Sequence, residues 1–146
     1  LEHAYLLWQE LKCPVAHATY NKQAWHRKVK RGVVPDELKD QLPTKDRMNE
    51  IKNSFASGEL KLAICNSVWQ RGVNFPHLRY LIRLDGSTTA ISSTQITGRV
   101  NRKSEGKDRG IVIDFMDKFN SDAEARSLGR KREYKKIGYP QYDWKE

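Results

Sequence analysis

Apolar residues recur at helical intervals near the start of the chain, at Ala4, Leu7, Trp8 and Leu11, and Pro14 closes the segment because it cannot continue a helix. Val15 to Ala18 is short and apolar and reads as a buried strand running into a polar loop at Thr19 and Asn21. Residues 25 to 45 show no sustained period and contain Gly32, Pro35 and Pro43. They read as an inserted loop with one short helix around Asp36 to Gln41. From Asp46 to Ser57, Met48, Ile51 and Phe55 fall three and four apart, with Thr44 placed to cap the start and Gly58 just past the end, which predicts an amphipathic helix. Leu60 to Cys65, Arg79 to Leu84 and Gly110 to Phe115 are strands by length and apolar content. Ser87 to Asn101 reads as a helix, and Ser121 to Lys136 as a final, charged and exposed one. Strands that alternate with helices predict an α/β fold: a mainly parallel sheet with helices on both faces, whose ligands bind beyond the carboxyl ends of the strands.

The 146 residues fit one ordinary domain and are too few for two independent cores. Residues 1–120 read as that domain and 121–146 as a basic helix and tail. The chain begins with Leu in what looks like the middle of an element, so it is expected to be a piece of something longer. Lys and Arg number 27 against 18 Asp and Glu, a formal charge of +9, which favours a polyanionic partner and says nothing about fold. Cys13 and Cys65 form no zinc-ligand spacing and are expected to be reduced, partly buried thiols. No apolar run approaches membrane-spanning length and no signal-peptide layout opens the chain, so the expected setting is cytoplasmic, away from membranes and reducing.

The chemistry concentrates in Gln95-Ile96-Thr97-Gly98-Arg99-Val100-Asn101-Arg102, a Q-x-x-G-R-x-x-R pattern. Four fixed positions of this kind arise by chance in such a chain roughly once in a thousand. On a continuous helix Gln95, Arg99 and Arg102 would project from one face, while Gly98 would remove a side chain where something approaches closely. Two guanidinium groups and an amide suit a phosphoryl group in transfer, because planar donor forks stabilise charge spread over its oxygens without proton transfer. The competing reading is a pair of surface arginines matched with Glu105 and Asp108.

A second stretch, Ile64-Cys65-Asn66-Ser67-Val68-Trp69-Gln70-Arg71-Gly72-Val73-Asn74-Phe75-Pro76, follows a predicted strand. It resembles helicase motif V, and the arginine pattern beyond it resembles motif VI, in the order and separation of superfamily 2 helicases. Phe55-Ala56-Ser57-Gly58 and the following apolar run are similar to the segment preceding motif V, so the resemblance covers nearly Leu1 to Phe115. It implies a second RecA-like (P-loop NTPase-like) domain of the broad RecG-like or restriction-helicase-like branch. Arg102 would be the principal arginine finger and Arg99 its partner, with Gln95 beside them. Gly72, Asn74 and Gly98 would lie against the nucleotide, and Asn66 and Ser67 would hold a phosphate of the bound strand. Many relatives have Thr in place of Asn66 and Asp in place of Asn74, which changes donor and acceptor roles at both.

No G-x-x-x-x-G-K-[ST] loop and no D-E-x-[DH] carboxylate pair occurs in the chain. ATP and Mg would therefore be held mainly by a first RecA-like domain, and this chain alone is expected to be inactive. Lys28, Lys30 and Arg31 in the insert, and Arg130 in the tail, are candidates for phosphate contact, with DNA preferred over RNA. Tyr134, Tyr139, Tyr142 and Trp144 could stack on bases or dock on the sheet. The alternative function is a non-catalytic nucleic-acid-binding module that keeps the helicase fold.

Overall fold

The computed structural model describes residues 2–17, 21–66, 69, 73–86 and 90–144, without the side chains of 90–93 and 96. The chain divides into two compact units, Leu1–Asn74 and Phe75–Glu146.

In the first unit, α1 (Glu2–Leu11) leads to β1 (Val15–Ala16), α2 (Lys22–Lys30), a 3-10 turn (Asp36–Leu38), α3 (Lys45–Ser57) and β2 (Ile64–Cys65). β1 and β2 pair in parallel, Val15 opposite Ile64 and Ala16 opposite Cys65. Tyr5, Cys13, Val15, Trp25, Val34 and Ile64 form the core. Cys13 is buried as expected, whereas Cys65 is exposed.

The structure departs from the sequence expectation at two places in this unit. The region read as an inserted loop opens with a helix, α2, capped by Asn21, whose side chain accepts from the Ala24 amide at 3.0 Å. Trp25 anchors it, being 2% exposed and donating its indole N–H to the Lys39 carbonyl at 3.0 Å, which also fixes the 3-10 turn. The strand expected over 60–65 narrows to Ile64–Cys65, because the Leu60 amide bonds back to the Ser54 carbonyl at 2.9 Å around the left-handed Gly58. α3 has the expected caps, with Thr44 accepting from the Arg47 amide.

His17 follows β1 and is 2% exposed. It shares a hydrogen bond with the Tyr5 hydroxyl at 3.1 Å and stacks on Trp25 at 5.9 Å between ring centres. Burial, with the Lys28 charge adding to it, lowers its pKa to about 4, and burial raises that of Tyr5 to about 12.

In the second unit, β3 (Tyr80–Arg83), α4 (Ala90–Val100) and β4 (Ile111–Asp114) form a βαβ unit whose strands pair in parallel over four positions. α5 (Ser121–Ile137) packs on α4 and is capped by Asn120. Tyr80, Ile82, Ile111 and Ile113 are exposed, while Leu81, Arg83, Val112 and Asp114, which alternate with them, are buried or half-buried. Both sides of these strands are rich in apolar residues, as in parallel sheets built to be covered on both faces.

The end of α4 sits tightly on the entry to β4. A Cβ placed on Gly110 would lie 2.6 Å from the Val100 carbonyl carbon and closer still to its oxygen and side chain. Val100 is fully buried there.

Gly110→Ala is therefore expected to destabilise the protein by about 1–3 kcal/mol through overpacking, measured by chemical denaturation. Between pH 6.5 and 4 the unfolded chain protonates His17 while the folded chain resists, so the stability present above pH 6.5 is lost as pH falls. The expected loss is at most about 3 kcal/mol, and a His17→Phe variant should lack this part of the slope.

Candidate functional site

α4 presents two unlike sides. Thr97 and Val100 are buried, 3% and 0% exposed, and fix the inward face. Gln95 and Gly98 are exposed on the opposite side, where helical geometry also places Arg99. Arg99 is half-buried, and its Nε is shut off from solvent. At Gly98 a Cβ would meet no described atom within 4 Å. The glycine is thus not required by packing among the described residues.

The helix ends at Val100, so Arg102 lies beyond it rather than on its face. This corrects the expectation of a continuous helical face, and the close packing of the Val100 carbonyl against Gly110 gives a physical reason for the stop. Asn101 still makes the last helical bond, from its amide to the Thr97 carbonyl at 3.2 Å. Arg102 is exposed.

The loop that follows is fastened to the segment leading into β3. Lys107 donates from Nζ to the Arg102 carbonyl at 2.8 Å and to the Pro76 carbonyl at 3.3 Å. Ser104 and His77 share a hydrogen bond at 3.2 Å, and the Arg79 guanidinium donates to the Gly106 carbonyl. Burial, followed by the Arg79 charge, lowers the Lys107 pKa from its ordinary value. Sequence reasoning missed Lys107, Arg79 and Gly110, because their partners are mostly backbone atoms, which leave no trace in a residue pattern.

Asn66 and Asn74 are exposed, and the Asn66 amide bonds to the Ala16 carbonyl at 3.3 Å beside the β1–β2 pair. Ser67 and Gly72 lie outside the described residues. Lys28, Lys30 and Arg31 belong to α2 and its C-cap. Lys30 and Arg31 are exposed and Lys28 is half-buried, while Arg31 lies 3.9 Å from Glu2. Lys22, His26 and Arg27 share the exposed surface of α2, which has no acidic residue.

Arg130 is placed elsewhere than expected. It is 2% exposed, its Nε donates to Asp114 at 2.9 Å, and its Nη2 donates to the Phe115 carbonyl at 3.0 Å, so its guanidinium faces the interior rather than a nucleic-acid backbone. Tyr134 joins it: its hydroxyl donates to the same Asp114 oxygen at 2.8 Å and accepts from Arg83 Nη1 at 2.9 Å. Arg83, 3% exposed, also pairs with Asp85. Burial raises the Tyr134 pKa to about 12. Tyr134 thus docks on the strand ends, whereas Tyr142 and Trp144 are exposed, 90% and 94%.

The open side of α4 and the stretch just past it carry the amide of Gln95 and the guanidinium groups of Arg99 and Arg102, donor chemistry that fits a phosphate group. Among the described residues, no group of three or more His, Cys, Asp or Glu side chains could hold a metal ion. None of the described helices is long and apolar enough to cross a membrane.

Comparison with known proteins gives the family. The profile of the helicase conserved C-terminal domain matches residues 9–104. A protein named "Putative helicase 22" from Sulfolobus islandicus filamentous virus (isolate Iceland/Hveragerdi) is 28% identical over 91 residues, covering 62% of this chain. The aligned part is 16% of that relative's length. No solved structure matches. The matched span holds the stretch after β2 and the whole Gln95 to Arg102 pattern, and with its helices and parallel strand pairs the chain belongs to the helicase conserved C-terminal domain family, of RecA-like α/β fold.

Proposed function

We propose that the chain is the C-terminal motor domain of an ATP-dependent superfamily 2 nucleic-acid helicase or translocase, of the RecG-like or restriction-helicase-like branch and acting on DNA. In this reading Arg102 is the principal arginine finger, Arg99 its partner, and Gln95 a further donor, all directed at the terminal phosphate of ATP. A first RecA-like domain, in the same polypeptide or a partner chain, holds ATP and Mg, and the bound nucleotide supplies the phosphoryl group whose transfer to water drives the motor. Gly72, Asn74 and Gly98 approach the nucleotide, and Asn66 and Ser67 contact a strand phosphate.

The observation that carries this reading is the sidedness of α4. The family-matched helix buries Thr97 and Val100 and leaves Gln95 and Gly98 on the open side, with exposed Arg102 immediately after. Such a surface can meet an anion presented from outside without rearranging its own core. The two arginines would neutralise charge that develops only during phosphoryl transfer, which raises turnover more than nucleotide affinity.

Basic contacts to the nucleic-acid backbone come from α2 rather than from a loop. Lys30 and Arg31 on its exposed surface, with the half-buried Lys28, would steer and hold a phosphate backbone without reading sequence. Arg130 takes no part in this set.

In a polypeptide that unites this chain with the ATP-holding domain, Arg102→Ala is expected to lower nucleic-acid-stimulated ATP turnover by about a thousandfold, with nucleic-acid affinity largely kept. Unchanged turnover would refute the reading. Replacing Lys30 and Arg31 together by Gln should reduce the slope of log affinity against log salt by about 1.8 on duplex DNA, equally for unrelated sequences. An unaltered slope would remove α2 from the interface.

A further inference from the structure

We propose that Lys107 is a positioning residue for Arg102: its ammonium group ties the backbone at Arg102 to the backbone at Pro76, giving the guanidinium past the end of α4 a fixed base. The inference rests on the reading of Arg102 as the principal finger.

Arg102 follows the helix by two residues, so helical geometry no longer dictates where its side chain is aimed. An arginine that must meet a phosphate with directional hydrogen bonds needs its backbone held, because small misplacements of a catalytic group are costly. Among the described residues, contacts from Ser104, Gly106 and Lys107 hold the loop of residues 102–107 to the segment Pro76–Arg79. Ser104, two residues past Arg102, reaches His77, and Arg79 reaches the Gly106 carbonyl, neither of them touching Arg102 itself in these bonds. Lys107 alone among these contacts reaches the Arg102 carbonyl itself, at 2.8 Å, and with the same nitrogen reaches the Pro76 carbonyl at 3.3 Å.

Chemistry favours lysine in this position. An ammonium group has three donors on one atom and can bind two carbonyl oxygens from different stretches, and its charge strengthens both bonds. Partial burial removes some competing water. The tie also has a direction in the sequence: Pro76 stands two residues after Asn74, the position proposed to lie near the nucleotide. Lys107 thus joins the backbone at Pro76 to the backbone just past the arginine motif.

The first test uses this chain without nucleotide. Lys107→Met keeps the bulk of the side chain and removes its donors. Amide hydrogen exchange over residues 101–106 is expected to quicken by about tenfold, while exchange in β4 stays as it was. No change at 101–106 would overturn the proposal, and so would an equal loss of protection in β4, which would make Lys107 a general stabiliser.

The second test uses the polypeptide that includes the ATP-holding domain. Lys107→Met should lower kcat by about 10- to 100-fold with little change in the KM for ATP, and Lys107→Arg should restore most of it. The double variant Arg102→Ala with Lys107→Met should be no slower than Arg102→Ala alone, because one residue acts through the other. Losses that multiply, or an unaffected kcat in Lys107→Met where Arg102→Ala is crippled, would overturn the positioning role and leave the functional reading standing. Full turnover in Arg102→Ala would overturn the functional reading and this inference with it.

Discussion

The second unit is organised around one carboxylate. Asp114, the last residue of β4, accepts from Arg130 and Tyr134 of α5 through a single oxygen, and Tyr134 in turn accepts from Arg83 at the end of β3. Two almost fully buried arginines would be costly without such partners, and removing one member of a buried pair typically costs about 3–5 kcal/mol. The network therefore decides where α5 sits, and it joins the carboxyl ends of both parallel strands to the helix that packs on α4. At these strand ends, the Arg83 and Arg130 guanidinium groups are matched by internal partners.

That matching separates the arginines of this unit into two kinds. Arg83 and Arg130 are internal, matched by Asp85, Asp114 and the Phe115 carbonyl. Arg102 is exposed and Arg99 half-buried, at the end of a helix held in place by Val100 against Gly110. The loop beyond α4 is fastened to Pro76, His77 and Arg79 by Lys107, Ser104 and Gly106. An arginine finger needs such a backbone anchor, since the donors must be in place before charge develops on the phosphoryl group.

Much of this was legible in the sequence where the signal is local. α3 was readable from Thr44, the spacing of Met48, Ile51 and Phe55, and Gly58, because caps and apolar periodicity are properties of neighbouring residues. β3 and β4 were readable as short apolar runs. α2 was not, since Trp25 and Val29 are its main apolar anchors and the basic residues around them mask the period. The burial of Arg130 was equally hidden: within a basic run it looks like surface, and only the fold brings Asp114 and Tyr134 to it. The Q-x-x-G-R-x-x-R pattern identified the arginines, but that Arg102 stands off the helical face was hidden, because the packing of Val100 against Gly110 at the helix end is tertiary.

The central claim is that the open side of α4 and the residue just past it meet the terminal phosphate of a nucleotide held by another domain. The most direct measurement is a structure of this chain joined to that domain, trapped with a transition-state mimic of ATP hydrolysis. The account predicts a guanidinium nitrogen of Arg102 within hydrogen-bond reach, about 3 Å, of an oxygen of the transferring group, with Arg99 directed at the same phosphate. Both side chains turned away from the nucleotide in the closed state would contradict it.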